Sequence, residues 1–316
     1  MNEILKAFSR RPWLGSLLAL VAVYGLFLGL TPQTFGRAQN LVTMARQMSA
    51  LGVVASGMTL VMILGGVDLS VGSAVALTTV VIASALKSGL GPMAAVGLGV
   101  GAAALAGAVN GGLIAKLSLR PFIVTLGAMS ILRGVAKGVA HEQKIDTDAR
   151  GLDSLVSHGG ALGLPPAIFV LAAVALAVAF ALGLSRFGRH VVAIGSNEET
   201  ARLAGVSVAR VKILVYTLCG ALAGVAGILE FATLTVGDPT DSSGLELDAI
   251  ASVVIGGGSL AGGEGSVLGS ILGALLMTVI KTGCTHLGLP NWVEQITAGA
   301  IIVVAAIIDR VRRRAL

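Results

Sequence analysis

Gly195-Ser196-Asn197-Glu198-Glu199-Thr200-Ala201-Arg202-Leu203-Ala204-Gly205-Val206 is a polar island in a chain otherwise made almost wholly of apolar runs. Its spacing predicts a short solvated helix. Ser196 is placed to cap the first turn while Glu199, three residues on, reaches back in the capping-box pattern, and Gly205 supplies the stop. Glu198 and Glu199 stand four and three residues before Arg202, so these charges support one another on one face. The helix covers about two turns, roughly 12 Å. It either joins two membrane spans or also offers a rigid surface to another protein, and the side of the membrane on which it lies orients every span around it.

Composition sets the class. Of 316 residues 55% are hydrophobic and 12% charged, and a mean hydropathy of +0.92 leaves too little polar surface to cover a soluble globule. The chain is an integral membrane protein. Its 44 glycines lie within apolar runs, where small residues let helices approach closely. The net charge of +6 is a matter of loop placement and not a nucleic-acid footprint. Cys219 and Cys284 have neither CxxC nor metal-ligand spacing and are expected as small packing residues.

Lys6, Arg10 and Arg11 precede an apolar run over 14–30, which fits an uncleaved first span with the N-terminus in the cytoplasm. Further runs at 47–66, 71–88, 92–116 and 121–140 are each long enough to cross about 30 Å of hydrocarbon. The polar stretch 141–164 carries Glu142, Asp146, Asp148 and Asp153 and is expected outside, before Pro165-Pro166 opens the run to Leu184. Segment 186–212, with Arg186, Arg189, Arg202, Arg210 and Lys212, then falls inside both by count and by charge. A seventh run, 213–234, leads to an outer loop with Asp238, Asp241, Glu246 and Asp248 and no Lys or Arg. Run 247–260 is short for a span, about 20 Å as a helix. Were it re-entrant, Arg310, Arg312, Arg313 and Arg314 would lie outside, against the positive-inside rule. The expectation is therefore an all-α polytopic protein of about ten transmembrane helices, one domain over 1–316, with both termini cytoplasmic and helices short or broken at glycine-rich turns.

Two such turns, Gly65-Gly66-Val67-Asp68-Leu69-Ser70-Val71-Gly72-Ser73 and Gly256-Gly257-Gly258-Ser259-Leu260-Ala261-Gly262-Gly263-Glu264-Gly265-Ser266, fall on the inner side. They are expected to be equivalent points of an internal parallel repeat. Gly65, Gly66, Asp68, Ser70, Gly257 and Ser259 become candidates for a pathway or gate. An ionised carboxylate in hydrocarbon costs about 2.5–3.5 kcal/mol, so the plainer role for Asp68 or Ser70 is to cap the next span. Glu230, in the outer half of span seven, is a candidate to face a cavity. Arg133, Lys281 and Glu294 fit side chains snorkelling to the interface. Enzymatic readings find little: there is no HExxH, GxSxG or Walker A sequence, His141, His158, His190 and His286 are scattered, and Gly99-Val100-Gly101 lies inside a hydrophobic run rather than after a strand. No catalytic residue, metal ligand or cofactor of its own is expected.

Gly66-Val67-Asp68-Leu69-Ser70-Val71-Gly72-Ser73, Asn110-Gly111-Gly112-Leu113-Ile114, Pro121-Phe122-Ile123-Val124-Thr125-Leu126-Gly127 and Gly244-Leu245-Glu246-Leu247-Asp248-Ala249-Ile250-Ala251, running into Gly256-Gly257 and Ser259-Leu260-Ala261-Gly262-Gly263, resemble the ribose-type permeases of bacterial ABC sugar importers over nearly the whole chain. The resemblance implies a multi-pass subunit of the bacterial inner membrane, among lipid, that pairs with a second copy or a sibling permease. It also implies an ATPase subunit that binds ATP and Mg²⁺, and a periplasmic binding protein that delivers a pentose, hexose or polyol. It makes Ser196, Asn197, Glu198, Glu199, Arg202, Leu203, Ala204 and Gly205 the ATPase-coupling segment and adds Asn110, Phe122 and Thr125 to the pathway candidates. Related permeases carry nucleosides or branched-chain amino acids. An ion-driven carrier or channel is the other class, and it calls for paired charges near the midplane.

Overall fold

The computed structural model describes residues 13–157 and 163–314. Lys6, Arg10, Arg11 and His158, and the middle of the expected outer loop, lie outside the described residues. The chain is helical almost throughout: α1 Trp13–Leu30, α2 Pro32–Phe35, α3 Ala38–Ile63, α4 Val71–Lys87, α5 Pro92–Lys116, α6 Pro121–Val139, α7 Pro166–Leu184, α8 Arg186–Ser196, α9 Glu198–Leu203, α10 Val208–Leu234, α11 Leu245–Ile255, α12 Val267–His286 and α13 Asn291–Arg314. Proline opens α2, α5, α6 and α7, where its fixed φ suits the first turn and its missing N–H costs nothing.

Among the described residues six helices, α3, α5, α6, α7, α10 and α12, are long and apolar enough to cross a membrane; Leu14–Leu30, Val71–Lys87 and Asn291–Val304 are shorter apolar stretches. The expected second span, 47–66, begins earlier than its hydropathy suggests. Asn40 donates from Nδ2 to the Phe35 carbonyl at 2.9 Å, which lets α3 run from Ala38 through polar residues that look like loop in the sequence. The expected eighth span is only the 11 residues of α11, about 16 Å and half of what a crossing needs.

Every residue of α3 from Ser49 to Ile63 is buried, so α3 is a central post that is apolar all round. Helices α5, α6 and α7 lie outside it and turn leucines and isoleucines such as Leu105, Ile131 and Leu176 outward.

The two glycine turns are not equivalent points of a parallel repeat. The repeat is inverted and has an offset of 170 residues: the start of α3 at 38 recurs as the start of α10 at 208, the end of α5 at 116 as the end of α12 at 286, and the start of α6 at 121 as the start of α13 at 291. Asp68 Oδ1 accepts from the Ser70 amide (2.9 Å) and hydroxyl (2.6 Å). Asp238 Oδ1 accepts from the Thr240 amide (2.8 Å) and hydroxyl (2.7 Å) in the same way. Gly65 and Thr235, which precede these turns, both have positive φ, +87° and +54°. Packing repeats too: α5 lies on α10 as α12 lies on α3, and α4 touches α5 and α6 as α11 touches α12 and α13. The units face opposite ways, because Gly57 on α3 abuts Cys219 whereas Gly66, just beyond the end of α3, abuts Tyr216, nearer the start of α10. The partner of the turn at 65–73 is thus the turn at 235–243, at the opposite end of the bundle.

That second turn is latched. Residues 145–146 pair antiparallel with 236–237, Lys144 reaches Asp238 at 2.9 Å, and Arg133 Nη1 donates to the Pro239 (2.9 Å) and Asp241 (2.6 Å) carbonyls. Burial raises the Asp238 pKa, but the hydrogen bonds from Thr240 and Lys144 outweigh it and hold the carboxyl below its ordinary value. A depressed folded pKa gives stability that is present above the unfolded value of about 3.9 and is lost as pH falls through the folded one. Hydrogen-exchange protection at 145–146 and 236–237, corrected for intrinsic rates, is expected to hold from about pH 5 to 8 and to fall below about pH 4.

Candidate functional site

At one end of the bundle, α8 lies with Gly188, Val191 and Ile194 buried and Arg189 and Val192 exposed. Ser185 Oγ caps it, accepting from the Gly188 amide at 3.1 Å. α8 runs through Ser196, whose hydroxyl donates to the Val192 carbonyl, so Ser196 does not cap the helix that follows. The first non-helical residue is Asn197, in extended conformation, and its Oδ1 accepts from the Thr200 amide at 2.9 Å. The cap therefore sits one residue later than expected, and α9 is six residues long, about 9 Å.

Its end is as predicted. Gly205 has φ +83°, and bonds from Gly205 N to Arg202 O (3.0 Å) and from Val206 N to Ala201 O (3.1 Å) complete a Schellman motif. Glu198 pairs with Arg202 at 2.9 Å and with Lys212, on α10, at 2.7 Å. Glu199 and Ala204 are exposed, and Leu203 is 86% exposed at the tip.

Behind this tip the backbone of α8 touches both glycine turns. The Gly263 amide donates to the Ile63 carbonyl at 2.8 Å. A Cβ on Gly195 would overlap that carbonyl oxygen and lie 2.8 Å from the Gly263 nitrogen, and one on Gly262 would lie 2.7 Å from Gly195 O and 2.9 Å from Gly65 Cα. The ends of α3 and α8 and the turn at 258–265 thus meet in a glycine node.

Beside the node Asp68, 1% exposed, is held by Ser70; Asn110 Nδ2 donates to Ser70 Oγ at 3.0 Å, and Thr125 Oγ1 to the Val67 carbonyl at 3.2 Å. Four candidates from three separated stretches therefore share one buried network. Neither Asp68 nor Ser70 acts as the side-chain cap of α4: Ser70 occupies the cap position, but its hydroxyl is turned to Asp68. Gly66 lies against the Tyr216 hydroxyl. Gly257 turns the chain at φ +87°, and Ser259 Oγ accepts from the Ala261 amide at 3.2 Å. Phe122, 58% exposed, faces away from this group.

Glu230 belongs to the other end. The 26 residues of α3 separate the ends by about 39 Å, and beside the start of α3 lies a cavity of about 370 Å³ that Glu230 lines. Lys281 also lines it, but does not snorkel: its Nζ lies 2.6 Å from Asp248 and 3.6 Å from Glu294. Thr282 Oγ1 donates to Gln47 Oε1 at 3.3 Å, and the His286 ring bonds Asn40 Oδ1 at 3.0 Å. Glu230 has no polar partner among the described residues. Asp248 and Lys281 stand 33 residues apart in sequence and had no reason to be joined there.

A bundle of membrane-length helices in inverted repeat, with a polar cavity at one end and a capped amphipathic segment at the other, is a multi-pass membrane protein of the permease class. Residues 40–306 match the family described as branched-chain amino acid transport system / permease component, and the chain belongs to it. It is 38% identical over 297 residues, 93% of this chain and 92% of the relative, to the ribose import permease protein of Escherichia coli (strain K12). It is 36% identical over 309 residues (95% and 92%) to that of Bacillus subtilis (strain 168). Identity to the L-arabinose ABC transporter permease protein of Azospirillum brasilense is 33% over 287 residues (90% and 84%). No solved structure matches the chain. The resemblance to ribose-type importer permeases holds over more than nine-tenths of the chain.

Proposed function

We propose that this chain is the membrane-spanning subunit of a bacterial inner-membrane importer for a sugar or related small polar solute, a pentose, hexose or polyol. A periplasmic binding protein delivers the solute, and a separate ATPase that holds ATP and Mg²⁺ docks on residues 197–205. The chain pairs with a second copy or a sibling permease and crosses the membrane about ten times, with both termini in the cytoplasm.

The observation that carries this reading is the build of α9. It is capped at both ends, tied to α10 through Glu198 and Lys212, and seated by α8 on the glycine node, while it holds an apolar tip in the open. A floppy loop would lose an applied force in its own conformational freedom; this segment has little to lose. The relatives named for ribose and arabinose import support the solute class.

Covering an exposed leucine contributes about 1.5–3 kcal/mol, and 1.4 kcal/mol is tenfold in affinity. Leu203→Asp is therefore expected to weaken co-purification of the ATPase subunit at least tenfold, on the order of that arithmetic, while membrane insertion is unchanged. Should ATPase association and solute-stimulated hydrolysis both survive in Leu203→Asp and in Gly205→Val, docking at this helix is wrong.

A further inference from the structure

The cavities at the two ends of the bundle differ in charge. The inner one, of about 620 Å³, lies between the α5–α6 turn and the start of α10. With the offset of 170, Asn40 beside the outer cavity corresponds to Arg210 beside the inner one, and Thr285 corresponds to Ala115. The inner cavity is basic, with Arg120, Arg202, Arg210 and Lys212 against Glu198. The outer one is acidic, with Glu230, Asp248 and Glu294 against Lys281. Of the lining positions only Asn40 and Thr285 correspond to residues beside the inner cavity, and none of the outer acids has its counterpart there.

The one ammonium is already committed. Lys281 lies between Asp248 at 2.6 Å and Glu294 at 3.6 Å, so its ammonium is paired with carboxylates on two sides. Glu230, in contrast, faces the space without a polar partner among the described residues. The remaining polar lining is the His286 imidazole, bonded to Asn40, together with amides and threonine hydroxyls, groups that both donate and accept.

We propose that the outer cavity is a water-filled vestibule that admits neutral polyhydroxylated solutes, draws in cationic ones and rejects anionic ones such as sugar acids and sugar phosphates, with Glu230 as the selecting carboxylate. Hydroxyls of a neutral solute donate to Glu230 and exchange hydrogen bonds with the amides and threonines. A phosphate or second carboxylate meets an acidic lining whose basic groups, Lys281 and His286, are already bonded to Asp248 and Asn40. The solute class rests on the importer reading above; the sign of the selectivity rests on the lining alone.

The test uses the full-length chain in right-side-out membrane vesicles. Thr278→Cys, deep in the cavity, and Thr285→Cys, at its rim, are each exposed to three methanethiosulfonates, one cationic, one neutral and sugar-bearing, one anionic. Wild type serves as the blank because Cys219 and Cys284 are buried. Clefts lined by one sign change the approach rates of small ions by tenfold or more. The cationic reagent is expected to react about tenfold faster than the anionic one, with the sugar-bearing reagent between them. Glu230→Gln, which keeps the side-chain shape, is expected to reduce the cation-to-anion ratio several-fold at Thr278→Cys. Equal rates for the two charged reagents, a ratio unmoved by Glu230→Gln, or no reaction of the sugar-bearing reagent at Thr278→Cys each overturn the proposal. Loss of ATPase docking would sink the importer reading and leave these rates unchanged, so the two failures are separable.

Discussion

Gly195→Ala is expected to prevent accumulation of the folded chain. The added methyl has nowhere to go: its carbon overlaps the Ile63 carbonyl oxygen and crowds the Gly263 nitrogen that is bonded to the same oxygen. These are backbone atoms, so no rotamer change relieves the clash, and α8 must lift from both glycine turns. Overpacking in a tight core costs about 1–3 kcal/mol and at times more, and here the backbone hydrogen bond is lost as well, about 1 kcal/mol. Against total stabilities of about 5–15 kcal/mol that is a large share. The readout is the monodisperse fraction after detergent extraction, with Gly101→Ala as control. Gly101 has open space around it, and alanine improves a helix by up to about 1 kcal/mol. A Gly195→Ala chain as abundant and as heat-resistant as Gly101→Ala would show that α8 is not pinned to the node.

Gly220→Leu is expected to have the second large effect. α5 and α10 form the most extensive helix pair in the molecule, and they approach through glycine. A Cβ at Gly220 would overlap the Ala103 carbonyl and lie 3.1 Å from Gly107 Cα, and a Cβ at Gly107 would overlap the Tyr216 carbonyl. In lipid no hydrophobic force drives one apolar helix against another, so association rests on this close fit. Gly220→Ala should cost about 1–3 kcal/mol in a detergent unfolding titration, and Gly220→Leu should leave the helices unpaired, with helical content kept and cooperative unfolding lost. Gly112→Leu on α5, where a side chain meets open space, should behave as wild type. If Gly220→Leu unfolds cooperatively at the wild-type midpoint, the contact is not as tight as described.

What was legible in the sequence follows from local physics. Apolar run length, with Pro165-Pro166 for α7, located α5, α6 and α7 closely, because a first-turn proline and a lipid-length run are both properties of contiguous residues. The start of α3 was misplaced because Asn40 looks like loop until its partners, Phe35 and His286, are brought to it. The cap was placed at Ser196 because nothing local shows that α8 continues through it. The repeat was misaligned by matching glycines, which recur wherever backbones touch; the Asp-x-Ser and Asp-x-Thr turns at 68–70 and 238–240 are the visible signal, and they point to the inverted pairing. Asp68, Ser70, Asn110 and Thr125 were each named and proved to be neighbours. The outer cavity was largely invisible, since it draws its charges from four helices.

The inverted repeat also bears on how the chain is synthesised. Each unit, α3–α6 and α10–α13, contains four helices, and among the described residues α7 is the one membrane-length helix between them. α7 is made after the first unit and before the second, so it stands where the chain reverses between two oppositely facing units.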